Sequence, residues 1–113
     1  MPKGDFVGEF ELYVLLALAR LRDDAYGARI RQTIEARTGR EIAIGAIYAT
    51  LGRLEDKQLI RHWMSDPEPI QGGRARKHYA LTPSGARALK HSTTMLSRMM
   101  ADVPLADVKG RAR

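Results

Sequence analysis

The 113-residue chain has no cysteine, one tryptophan and two phenylalanines, and only 6% of it is aromatic. Without a thiol it can form no disulfide, no thiolate nucleophile and no Cys-type zinc site, which excludes several enzyme classes. No apolar run approaches the roughly 20 residues of a membrane-spanning helix. The first six residues, MPKGDF, lack the apolar centre of a signal peptide. A cytoplasmic protein with no membrane partner is the expectation. No nucleophile–base pair, metal-ligand set or phosphate-binding loop is visible, so neither an enzyme nor a cofactor is expected.

What the chain has in excess is positive charge. Nineteen Lys and Arg oppose thirteen Asp and Glu, for a formal net charge of +6. The pI is about 10.1 and the mean hydropathy −0.33. That balance in a one-domain chain suggests a polyanionic partner. Fourteen of the cations are Arg, whose planar fork suits phosphate and guanine. The charge is uneven. Residues 1–22 are neutral, whereas residues 61–90 carry a net +4.

Glu9 to Leu21 reads as a helix with two apolar stripes. One is Phe10, Val14, Leu18 and Leu21; the other is Leu12, Leu15, Leu16 and Ala19. A helix apolar all round is buried on several sides, either by its own domain or, in so small a protein, by a partner subunit. Asp23 and Asp24 offer an N-cap to a second helix, Ala25 to Thr38. Tyr26, Ile30 and Ile34 face inward there, Gly27 is a close-packing point, and Gly39 is the left-handed stop. Glu41 to Ile44 reads as a brief extended piece.

A third helix, Ile44 to Leu59, follows. At about 100° per residue Ile47, Leu51 and Leu54 share its inner face, while Ala46, Thr50, Arg53 and Lys57 share a second, bordered by Ala49. Small side chains let a helix approach base edges, Thr and Ala touch thymine methyls, and Arg forks onto guanine. Taken alone, the stretch also fits an ordinary amphipathic helix with a solvated outer face. Leu59 to Met64 and Arg76 to Leu81 have strand composition, joined by a loop rich in Pro, Asp and Gly. This is a β-hairpin, or wing. Arg74, Arg76 and Lys77 follow a Gly-Gly pair and are placed to neutralise DNA phosphate. His62 and His78 each lie eight residues from Ile70 and are expected to face one another. No third ligand accompanies them, so no metal site is expected.

Thr82 caps and Pro83 opens a last helix. Its Ala86, Leu89, Thr93, Leu96, Met100 and Val103 recur at alternating spacings of three and four, as in a coiled-coil seam. Pro104 ends it, and a short polar tail, expected to be disordered, remains. The expected fold is therefore mainly α with a small β-hairpin. A winged helix-turn-helix spans residues 5–81, a C-terminal dimerisation helix residues 82–103, and a tail residues 104–113. Dimer contacts are expected from Phe10, Tyr13, Leu16, Leu89, Leu96, Met99, Met100 and Val103.

Between Phe10 and Leu89 the chain resembles the PadR-type transcriptional regulators. The resemblance rests on Ala25-Tyr26-Gly27, on Gly45-Ala46-Ile47-Tyr48, on Leu51, Arg53, Leu54 and Glu55, on Leu59-Ile60, and on the run Arg76 to Thr82 with Gly85. It implies a homodimeric transcription factor, usually a repressor, on a pseudo-palindromic operator in double-stranded DNA. It also implies a DNA-touching role for Tyr48, against which stands a role packing beneath its helix. Many such regulators answer a small-molecule effector near the dimer interface, which Phe10, Tyr13, Met95, Met99 and Met100 could line. Gln58 departs from the resemblance where Gly is usual and must accept a left-handed conformation or alter the turn. His78 departs where an aromatic is usual. The competing function is a winged-helix module for protein–protein contact, which would not need the Arg53, Lys57 and wing cations.

Overall fold

A computed structural model describes residues 7–65 and 75–112. In chain order they form α1 (Glu9–Leu21), a 3-10 turn (Arg22–Asp24), α2 (Gly27–Thr38), α3 (Ile44–Asp56), an antiparallel pair β1 (Ile60–Met64) and β2 (Lys77–Leu81), α4 (Pro83–Met100) and a last 3-10 turn (Leu105–Asp107). This is the expected mainly helical winged helix-turn-helix.

α1 is the hub, in contact with α2, α3, β2 and α4. Val14, Leu15, Ala17 and Leu18 are buried, and Phe10, Leu12, Tyr13 and Leu21 pack partly against the core. The chain's own elements therefore cover the first stripe, whereas the second is half covered and leaves Leu16 and Ala19 exposed. Ile30 and Ile34 of α2, then Ile47, Leu51 and Leu54 of α3, complete the core as their spacing requires.

The ends of α2 divide. Gly39 stops it in the left-handed conformation, at φ +75°. At its start no Asp caps it. Asp24 instead pairs outward with Arg29 at 3.1 Å, and Tyr26 occupies the N-cap position without a side-chain bond. Glu41 to Ala43 do not form a strand; the Ile42 N–H donates to the Glu35 carboxylate at 2.8 Å. The sheet has two strands, and the extended residues that touch its edge come from before α2 rather than before α3. Tyr26 bridges His78, and the Tyr79 N–H donates to the Ala25 carbonyl at 2.8 Å.

α3 ends at Asp56, three residues short of the expected Leu59, because Gln58 turns left-handed at φ +62°. The Leu59 N–H reaches back to the Leu54 carbonyl and the Gln58 N–H to the Glu55 carbonyl, the two bonds of a Schellman stop. That turn is fixed to α4. The Thr82 hydroxyl donates to the Gln58 carbonyl and the Thr82 N–H to the Leu59 carbonyl, while the same hydroxyl accepts the Gly85 N–H as the helix cap. A Cβ on Gly85 would land on the Leu59 carbonyl.

The hairpin register pairs His62 with Tyr79 and Trp63 with His78. The expected His62–His78 facing is therefore one residue out, and the two imidazoles lie on opposite faces of the sheet. α4 buries Gly85, Ala88 and Leu89 in its first two turns and then leaves the domain, drawing the molecule out to 62 Å. Leu89 belongs to the chain's own core and not to an outward seam. The helix stops at Met100, so Val103 lies beyond it, and the tail forms a 3-10 turn at Leu105–Asp107.

Candidate nucleic-acid interface

Opposite the buried stripe of α3 lie Gly45, Ala49, Gly52 and Asp56, with Tyr48 on one flank and Ala46 and Arg53 on the other; all are exposed. The outward face is rotated by about a quarter-turn from the one expected. Thr50 is not on it. That side chain is 1% exposed, and its hydroxyl accepts a bond from Arg53 Nη2 at 2.9 Å. Lys57 is also turned away, its ammonium 3.0 Å from both oxygens of Glu11 on α1. Sequence spacing placed these polar residues by angle, but Thr50 turns into the core with its hydroxyl held by Arg53 one turn on in the same helix, and Lys57 is taken by a tertiary partner on α1. What it missed is Gly45 and Gly52, where an added Cβ would meet open space. Their spacing of seven around Ala49 was the available signal.

The Glu11–Lys57 pair fixes the end of α3 to the start of α1. Burial raises the Glu11 pKa, but the Gly8 N–H and the Lys57 ammonium outweigh it and bring the carboxyl below its ordinary value.

Tyr48 is 49% exposed and leans over the start of α2, where its hydroxyl lies against Gly27. Gly27 is thus the expected close-packing point against a neighbouring helix, met by the Tyr48 phenol of α3. The amides opening α2 have no side-chain cap, and such a terminus carries partial positive charge. Arg76 completes the group, its guanidinium 4.4 Å from the Tyr26 ring centroid. A phenolic hydroxyl, an uncapped helix start and a guanidinium therefore meet beside the open face of α3. The α2 terminus went unseen in the sequence because Asp23 and Asp24 looked like its cap.

In the wing, Arg76 and Lys77 are exposed, and Lys77 Nζ stands 5.7 Å from the Tyr79 ring centroid. Arg74 lies outside the described residues. His62 meets Glu55 at 2.7 Å. His78 is buried, stacks on Trp63 at 4.4 Å and meets Tyr26 edge-on. Burial, then the charges of Glu55 and Tyr48, push the Tyr79 pKa up. No group of three or more metal-ligating side chains is found among the described residues.

The residues expected at a dimer contact are dispersed in one chain. Phe10 and Tyr13 pack partly on the core, Leu16 is exposed on α1, and Leu96, Met99 and Met100 are exposed on the projecting half of α4, with Val103 just past its end. Of the five residues expected to line an effector pocket, Tyr13 borders a cleft between α1 and α2. Met95 and its neighbours lie on α4, away from that cleft. No helix among the described residues is long and apolar enough to cross a membrane.

The transcriptional regulator PadR-like family matches residues 14–91. A PadR family transcription regulator from Clostridium difficile R20291 has a similar structure, with TM-score 0.69 and 28% identity over 82% of this chain and 95% of that one. A PadR-like transcription factor from Bacteroides fragilis shares the fold at TM-score 0.67 and 23% identity, over 80% of this chain and 82% of that one. A transcriptional regulator from Clostridium thermocellum does so at TM-score 0.67 and 24% identity, over 88% and 92%. Among curated sequences, a 37.1 kDa protein of transposon TN4556 from Streptomyces fradiae is 30% identical over 79% of this chain. The chain spans about a quarter of that relative's length.

Proposed function

Since the chain belongs to the PadR-like family of transcriptional regulators, we propose that it is a cytoplasmic repressor that binds a pseudo-palindromic DNA operator as a homodimer. The observation that carries this reading is the bare outward face of α3, set between Tyr48 and Arg53 and beside the uncapped start of α2. In the bound state Ala46, Ala49 and Arg53 meet base edges in the major groove. Tyr48, the first amides of α2 and Arg76 hold a backbone phosphate, as helix starts do. Lys77 and Arg74 track the flanking backbone from the wing. A dimer formed through α1 and the apolar end of α4 sets two such faces about one helical turn of DNA apart, roughly 34 Å. Phe10 and Tyr13 with Met95, Met99 and Met100 are where a small-molecule effector enters that interface and releases the DNA, since methionine adapts to varied shapes.

Fluorescence anisotropy with duplexes from the region upstream of the chain's own gene tests the reading. Tight binding to one segment that weakens steeply with salt is expected. Affinity no greater than for an unrelated duplex would overturn it.

A further inference from the structure

α1 and α2 enclose a cleft of about 190 Å³, floored by Leu16, Ala17 and Ile34 and rimmed by Arg20 and Arg37. Both rim arginines are exposed, and neither has an ion-pair partner among the described residues. The segment after α4 has the opposite character. Val103, Leu105 and Val108 expose apolar side chains, and Asp102 and Asp107 have no cationic partner among the described residues. We propose that this cleft receives the segment Asp102–Val108 of a second copy of the chain, an inference that rests on the homodimer reading above.

The segment stands apart from its own cleft. The buried residues of α4 are Gly85, Ala88 and Leu89, and the eleven residues after Leu89 carry its end about 16 Å further out. The segment is also already shaped. The Asp107 N–H donates to the Pro104 carbonyl at 2.9 Å and the Val108 N–H to the Leu105 carbonyl at 3.2 Å, so little ordering is needed on docking. Leu105 or Val108 fills the apolar floor, and the two aspartates meet the two arginines at its edge. An apolar anchor inside a charged rim is the arrangement of a specific contact. The opposite charges also disfavour cleft meeting cleft, where arginine would face arginine.

Sedimentation of the full-length chain over a range of concentrations tests the proposal through a charge exchange. Arg20→Glu with Arg37→Glu, and separately Asp102→Lys with Asp107→Lys, are each expected to raise the dimer dissociation constant about tenfold, and the four changes together to restore it. As the chain has no cysteine, Thr33→Cys with Leu105→Cys gives an independent readout. An intermolecular disulfide is expected on mild oxidation, and its formation does not depend on the charge variants folding. A stable dimer that neither responds to the exchange nor forms the crosslink overturns the docking mode and leaves the homodimer standing. A chain monomeric at every concentration overturns both.

Discussion

Gln58 holds a left-handed conformation, φ +62°, that costs an L-residue with a Cβ on the order of 1 kcal/mol and a glycine almost nothing. Gln58→Gly should therefore raise the unfolding free energy by about 1 kcal/mol in urea denaturation, without moving the Schellman bonds. Gly85 presents the opposite case. Its missing Cβ makes room for the Leu59 carbonyl, so Gly85→Ala should separate α4 from the turn and abolish a cooperative transition. Glu11 is a buried carboxylate held by the Gly8 N–H and the Lys57 ammonium. Its pKa is depressed, so its stabilising effect is present above the ordinary glutamate value of 4.5 and is lost as the pH falls through the lower folded value. Glu11→Gln should cost about 2 kcal/mol at neutral pH. It should also flatten the acid limb of a stability–pH curve, and an unchanged limb would show the pair to be inconsequential.

At the scale of the element, α3 and the wing should behave differently under mutation. Arg53→Ala should change which base is preferred at one position of each half-site, read by anisotropy on a panel of single-base variants. Arg76→Ala with Lys77→Ala should weaken binding to all duplexes and reduce the slope of log affinity against log salt by about two. How far the sequence foretold these elements depends on what set each position. The inner stripe of α3 was legible because Ile47, Leu51 and Leu54 are strongly apolar and periodic, and such residues have one place to go. α1 and the capped start of α4 were legible for the same local reasons. The outer face was not, because Thr50 is polar by type yet sits in the core with its hydroxyl satisfied within its own helix, and Lys57 is held by Glu11, a partner 46 residues away that no periodicity encodes. The hairpin register failed similarly. Symmetry about Ile70 assumed a centred loop, whereas the pairing of Trp63 with His78 is decided by stacking between them and by the Tyr26 bridge.

For the molecule as a whole, the elongation to 62 Å follows from a helix that its own domain anchors only at its base. The apolar residues beyond that base, Leu96 at 51% and Met99 at 77% exposure, are a liability in a monomer. Leu96→Asp with Met99→Asp should thus yield a folded monomer of normal helix content by circular dichroism, with operator affinity reduced by several orders of magnitude, because one half-site is lost with its partner. The bare strip of α3 has a further consequence. An exposed glycine in mid-helix, as at Gly52, costs about 1 kcal/mol relative to alanine; Gly45 lies in the first turn, and neither meets anything that would forbid a side chain. The protein forgoes stability at Gly52 and keeps two unwritten positions on the surface proposed to meet DNA. Gly45 and Gly52 are accordingly the places to build a library, since new side chains at them can retarget the operator without disturbing a single buried contact.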